Sequence, residues 1–277
     1  DRLFFSVPIE QIERVFFPRK GLSELMSMPE LALDPHLKNV HQFVNLLLGS
    51  GLRIKDLGIT YSTLMGHYAH KVSDVNIVVY GKENYWKLMK FLETAEHSKL
   101  RWKTDQEWLD FYHRRNRYQF FEEDGFLRIM RKKKSEGFFG DCLFVIFAAE
   151  KEEETWFKWG EEKYTELGMV KCSGMVADNF SSIVRPGCYE IADSKIIDRV
   201  GSATVDGLDY KDIEIKKVVF YSRDYCMLAD PGEKIEVSGV LEKVEPKNGE
   251  VYYRVVVGYF DAYTNERRET EYIKVVK

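Results

Sequence analysis

The sequence holds little that would tie it to a membrane, to an oxidising compartment or to a strongly acidic partner. Its longest apolar runs, such as Leu143-Phe144-Val145-Ile146-Phe147-Ala148-Ala149, fall far short of the ~20 residues a spanning helix needs. The opening residues Asp1-Arg2-Leu3-Phe4-Phe5-Ser6-Val7-Pro8 lack the basic start, apolar middle and small-residue cleavage site of a secretory signal. An intracellular, cytoplasmic protein with no membrane partner is expected. Cysteine is scarce: Cys142, Cys172, Cys188 and Cys226 are far apart, with no Cys-x-x-Cys pair and no histidine cluster close by in the sequence, so reduced core thiols are expected rather than a zinc site. There is no excess of positive charge, the formal net charge being −4, and phosphate recognition would have to come from local patches. A glycine-rich dinucleotide fingerprint, a Walker-type phosphate loop, internal repeats and low-complexity segments are all missing.

What is present is a chain of 277 residues, 44% hydrophobic and 31% charged, enough for two cores at about 100–200 residues per domain. Residues 9–50 read as helical, with Val40, Phe43, Val44, Leu47 and Leu48 spaced along one buried face. A short strand over 56–60, a polar turn and the β-prone run Val75-Asn76-Ile77-Val78-Val79-Tyr80 follow. Helical spacing returns in Tyr85, Leu88, Met89 and Leu92 and continues through 100–118, before a third strand at Leu143–Ala149. The acidic stretch 150–154 marks a change of composition. Beyond Gly168 the helical period gives way to runs rich in Val, Ile and Tyr at 169–177, 183–191, 213–221, 234–244 and 251–259, separated by Pro186-Gly187, Pro231-Gly232 and Asn248-Gly249. Asn-Gly between alternating runs signals a hairpin, because both residues accept the positive φ of a type I′ turn. The expected organisation is a helical lead-in over 1–50, an α/β domain with a short mixed sheet over 51–150, and a small antiparallel β-barrel-type domain over 168–277. The fold class is α+β.

Chemistry can be sought around Asp74. Nucleotidyl transfer needs two divalent cations held by carboxylates. A strand places residues i and i+2 on one face, so Asp-x-Asp or Asp-x-Glu at a strand start aims two carboxylates at one point, while a small turn upstream lets backbone amides approach a triphosphate. The segment from Asp56 through Tyr61-Ser62-Thr63 to Ser73-Asp74-Val75-Asn76 resembles this signature of the DNA polymerase beta-like superfamily, in the form seen in archaeal nucleotidyltransferase-domain proteins. The resemblance extends upstream to Phe17-Pro18-Arg19-Lys20-Gly21-Leu22-Ser23-Glu24-Leu25. Downstream it takes in 176–189, Gly232-Glu233-Lys234, 239–242 and 253–258, and so covers about residues 16–277. It implies Mg²⁺ at Asp74, with Asn76 and a third carboxylate from a neighbouring strand, Asp141, assisting, and Ser62 and Thr63 at the triphosphate. Two positions depart from the pattern. Tyr61 stands where the family has glycine, and Asn76 stands where it has the second carboxylate; an amide brings an oxygen but no charge.

Two functions are therefore expected to compete. One is a Mg²⁺-dependent nucleotidyltransferase acting on a nucleic acid, small molecule or protein. The other is a factor with an impaired site that binds nucleic acid or assembles with a protein through the β-domain. Between 99 and 134 the cations Arg114, Arg115, Arg117, Arg131, Lys132, Lys133 and Lys134 are interleaved with Trp102, Trp108, Tyr112, Tyr118 and Phe120, the combination a single-stranded nucleic-acid surface uses. The competing reading is a solvated helix face and a charged hairpin, since Glu107, Asp110, Glu122, Glu123 and Asp124 share the stretch. His67 and His70, three apart before Asp74, have no further ligands near them in sequence and read as loop residues facing solvent.

Overall fold

A computed structural model describes residues 7–114, 121–155, 158, 160–200, 210–258 and 270–276. The fold is α+β, with two mixed sheets of five and six strands. Helices α1 (Pro18–Ser27) and α2 (Pro35–Leu48) lead in. The first sheet is built from β1 (Leu57–Ile59), β2 (Val75–Tyr80), β3 (Leu100–Arg101), β4 (Glu136–Phe139) and β5 (Cys142–Ala149) in the order β1-β2-β5-β4-β3. Strand β2 runs antiparallel to β1 and parallel to β5. A five-residue helix, α3 (Tyr61–Met65), occupies part of the expected polar turn between β1 and β2. Helix α4 (Lys82–Thr94) follows β2 and buries Tyr85, Leu88, Met89 and Leu92, the residues its spacing predicts.

The alternation of β2 decides which residues serve the core. Val75, Ile77 and Val79 are fully buried, whereas Asn76, Val78 and Tyr80 on the other face are half-buried. Register carries this across the sheet: Phe144 and Ile146 join the core face, and Val145 and Phe147 join the face of Asn76 and Val78. Helices α2 and α4 cover the core face, where Val40, Phe43, Val44 and Leu47 are sealed from solvent together with Leu22 of α1. The start of α1 lies so close to β1 that a Cβ on Gly58 would come within 2.8 Å of Pro18 Cβ, which requires glycine there.

The second sheet contains β6 (Glu162–Asp178), β7 (Gly187–Val200), β8 (Ile215–Phe220), β9 (Lys234–Pro246), β10 (Tyr252–Val257) and β11 (Tyr272–Val276). The order is β10-β8-β7-β6-β9-β11, and β10 also pairs with β9, so the ladders return on themselves. The expectation of an all-antiparallel arrangement is corrected at one seam, where β10 runs parallel to β8. The hairpin signalled by Asn248-Gly249 joins β9 to β10, with Val244 opposite Tyr252 and Gly249 at φ 125°. Its loop is longer than the two residues expected, because the end of β9 pairs with β6 instead, Pro246 facing Glu162.

Between β3 and β4 the chain forms α5 (Asp105–Arg114) and α6 (Glu123–Lys132). The stretch 100–118, read as one helix, begins instead as β3, and 123–132 is helical, where the competing reading of the basic stretch had a charged hairpin. Trp108, Phe126, Leu127, Ile129 and Met130 from this pair pack into the core of the second sheet with Val170, Ile215, Phe220 and Ile235. The acidic stretch 150–154 is likewise used inside the fold: Glu154 Oε2 accepts from the Lys82 backbone N–H at 3.0 Å, and buried Lys82 Nζ donates to Glu150 Oε1 at 3.2 Å. No helix among the described residues is long and apolar enough to cross a membrane.

Candidate functional site

On the face of the first sheet that turns away from α2 and α4, Asn76, Val145 and Glu136 form one transverse row across β2, β5 and β4. Asp74, two residues before Asn76, belongs to the same side, since residues i and i+2 share a face, and Asn76 Nδ2 lies 3.4 Å from its carbonyl oxygen. Phe147 lies in the row of Val78. The guanidinium of Arg223, from the turn after β8, stands 5.1 Å above the Phe147 ring, and the Tyr61 ring lies 6.0 Å from it. Arg19, from the Pro-Arg-Lys-Gly segment, stacks over Tyr80 at 3.8 Å.

Charge on this face is unevenly shared. Glu136 spends both oxygens, Oε1 on Lys103 and Oε2 on Arg223 at 3.0 Å. Lys103 is itself enclosed, 4.3 Å from the ring of Trp108. Asp74 has neither cation to itself. Burial foremost, and then the like charge of Glu136, push its carboxyl above the usual aspartate range, against the weaker opposing pull of Lys103 and Arg223.

Asp141, expected as the third carboxylate, sits at the tip of the β4–β5 hairpin after Gly140, which has φ 58°. It is exposed and pairs with Lys71 at 3.2 Å. The carboxylate that the strand order brings to the side of Asp74 is Glu136, which sequence reasoning did not single out. The β5 positions on this face, Leu143, Val145 and Phe147, are apolar. These residues do not fit a two-ion magnesium centre: Asp74 brings one carboxylate, its strand neighbour is a neutral amide, and the other carboxylate is already neutralised by two cations.

The turn upstream holds the residues that the resemblance places at a triphosphate. Tyr61 adopts φ 53°, a left-handed backbone that favours glycine, at the position where glycine is expected. Its side chain is 56% exposed, and stands where an open turn would be needed. Ser62 is half-buried, and its carbonyl accepts from His67 N–H at 2.9 Å. Thr63 is buried and turned to the opposite side, with Oγ1 3.0 Å from His36 Nε2, so its hydroxyl serves the core.

The basic stretch is largely engaged within the fold. Arg131 pairs with Asp105, Lys132 with Asp230 and Arg128 with Glu233. Lys134 lies 4.9 Å over the Trp102 ring. Lys133 is buried, donates to the Asp224 carbonyl at 2.9 Å, and is pulled by burial down to about 8. Arg114 is exposed and donates through Nε to the Asp110 carbonyl at 3.0 Å. Arg115, Arg117, Tyr118 and Phe120 lie outside the described residues.

Comparison with known proteins adds one relative. An uncharacterized protein of the archaeon Methanocaldococcus jannaschii is 29% identical over 226 residues, which is 81% of this chain and 60% of the relative. The chain thus spans about three fifths of that protein's length. No family model and no solved structure matches it.

A second group of side chains lies on the core side of the sheet. His36, at the start of α2, is fully buried, with Cys142 Sγ 3.9 Å from its Nδ1. One ligand atom from each of His36, His70 and Cys142 lies within 4.8 Å of the others. His70, read from its spacing as a loop histidine without partners, therefore has two potential co-ligands. All four cysteines are free thiols, and Cys142, Cys172 and Cys188 are buried, consistent with the expected core role.

Proposed function

We propose that this chain has a nucleotidyltransferase-type fold whose metal-binding face no longer supports nucleotidyl transfer, and that it works as an assembly factor. The observation that carries this reading is the state of the carboxylates: Asp74 stands beside Asn76, and Glu136 is committed to Lys103 and Arg223. Nucleotidyl transfer by two ions requires several carboxylate oxygens open to metal, and this face offers one such group. The fold half of the proposal is supported by the short mixed sheet around β2 and by the glycine-type backbone at Tyr61. The closed circuit of ladders in the second sheet supports its reading as a small barrel-type module.

A protein partner is favoured over nucleic acid by the fate of the charges. Nucleic-acid affinity rests on cations free to replace counterions, whereas Arg128, Arg131 and Lys132 are paired with acidic side chains and Lys133 is buried. Ile9, Ile12, Val15, Phe17 and Leu31, by contrast, are exposed apolar side chains of the lead-in, the surface chemistry of protein contacts.

Calorimetric titration with a nucleoside triphosphate in Mn²⁺, run beside anisotropy titration of a single-stranded RNA, tests the reading. The expected result is no metal-dependent triphosphate heat and only weak, strongly salt-sensitive RNA binding. Triphosphate heat that disappears in Asp74→Ala overturns the loss of catalysis, and tight RNA binding at physiological salt overturns the choice of partner.

A further inference from the structure

We propose that His36, His70 and Cys142 form a zinc site on the core side of the first sheet, separate from the face that carries Asp74. The residue types suit a borderline divalent ion, which takes imidazole nitrogen and thiolate sulfur in tetrahedral geometry. The distances suit it as well. With Zn–N about 2.0 Å and Zn–S about 2.3 Å, a tetrahedral ion separates the two ligand atoms by roughly 3.6 Å, and His36 Nδ1 and Cys142 Sγ lie 3.9 Å apart. A ring nitrogen of His70 lies within 4.8 Å of one ligand atom from each of the other two residues, a gap that rotation of an exposed side chain can close.

The surroundings of His36 are those of an oriented ligand. Its other ring nitrogen, Nε2, meets the buried Thr63 hydroxyl at 3.0 Å. A proton on Nε2 donated to Thr63 leaves the Nδ1 lone pair aimed at the space beside Cys142, the outer-shell arrangement that fixes tautomer and ring angle in metal sites. The Tyr68 ring stacks on the imidazole at 4.6 Å and 19°. Tyr68 in turn is tied down by its hydroxyl, which donates to Asp34 Oδ2 at 2.6 Å, and the other Asp34 oxygen accepts from the His36 and Leu37 backbone N–H groups at 2.9 and 3.0 Å. Two ligands are thus held rigidly from inside, while exposed His70 gives the ion a way in. On binding, the Cys142 S–H proton passes to solvent and the sulfur becomes thiolate. The three protein ligands leave the fourth position to water. The ion would link α2, the loop before β2 and the β4–β5 hairpin.

Co²⁺ titration of the full chain, followed by absorption, tests the assignment. The expected result is one equivalent bound, with the intense visible bands of a four-coordinate site and a thiolate-to-cobalt charge-transfer band, all removed by Zn²⁺ and unaffected by excess Mg²⁺. Cys142→Ser is expected to abolish the charge-transfer band. His70→Ala, an exposed position that leaves the core intact, is expected to weaken Co²⁺ binding at least about tenfold, as is Thr63→Val. Absence of the charge-transfer band in the parent chain, its persistence in Cys142→Ser, or unchanged affinity in His70→Ala overturns the proposal. Asp74→Asn is expected to leave the band in place, and its loss there would put the metal on the other face and overturn the site as drawn.

Discussion

Each sheet carries a group of charges, buried in the second and half-buried in the first, and the two settle those charges in opposite ways. In the second sheet Arg254 and Glu242 are direct neighbours on β10 and β9, with Arg254 Nε and Nη2 at 2.9 and 2.8 Å from one carboxylate oxygen. Their side chains are 4% and 3% exposed, and the guanidinium lies 3.9 Å over the Tyr164 ring. Adjacent strands deliver one cation to one anion, and the apolar surroundings strengthen the attraction. In the first sheet two cations and two anions also share a face, yet both cations are bonded to Glu136 and Asp74 is left beside a like charge. The first arrangement holds strands together. The second leaves the ionised form of Asp74 at a cost to the fold.

The comparison breaks most visibly at Glu242. Replacing it with Gln removes the carboxylate charge from beside the desolvated Arg254 guanidinium, a change expected to cost about 3 kcal/mol or more. Urea unfolding of Glu242→Gln measures it, and a loss under 1 kcal/mol would mean that Arg254 is satisfied by other groups.

Removing the Asp74 charge from the first sheet has the opposite sign. An acid whose folded pKa lies above its unfolded value destabilises the fold once ionised: the penalty begins as pH rises past the unfolded pKa, near 4 for Asp, and is complete above the folded one. Asp74 is such an acid. Asp74→Asn is therefore expected to unfold at higher urea than the parent at neutral pH, with the advantage shrinking as pH falls and gone where Asp74 is protonated in both states. A variant less stable than the parent at pH 7 would show that Asp74 is compensated after all, and the contrast between the sheets would dissolve.

What could be read from the chain follows the range of the interactions. The β2 alternation, the buried stripes of α2 and α4 and the β9–β10 hairpin are encoded within a few residues, and the structure has them where spacing puts them. Glu136 was hidden because β4 is only four residues long and follows a basic run, and because its place beside Asp74 depends on the strand order β2-β5-β4. Gly137 in that strand reads as a breaker, although a Cβ there would come within 3.0 Å of Phe144 and nearer still to Trp102. The stripe of α6, with Phe126, Leu127, Ile129 and Met130 buried, was masked by the cations between and after them, whose acidic partners are distant: Glu233 for Arg128 and Asp230 for Lys132. His36 and Cys142 are 106 residues apart, and no local pattern relates them.

Tyr61 offers the smallest effect and the finest test of how the first sheet came by its odd charge. An L side chain in the left-handed region costs about 1–2 kcal/mol, and Tyr61 adopts φ 53° with a ring 56% exposed. Glycine would release that strain, while giving back about 0.4–1 kcal/mol through the greater freedom of the unfolded chain and losing the ring contact with Phe147, a pair 6.0 Å apart. Aromatic pairs contribute about 0.5–1.5 kcal/mol, so the terms nearly cancel, and Tyr61→Gly is expected to match the parent within about 1 kcal/mol in urea unfolding. Near-equality would mean that the left-handed backbone carries a tyrosine at little net cost. A loss of several kcal/mol would instead make the ring the reason for the position, shielding Phe147 and the Arg223 side chain above it.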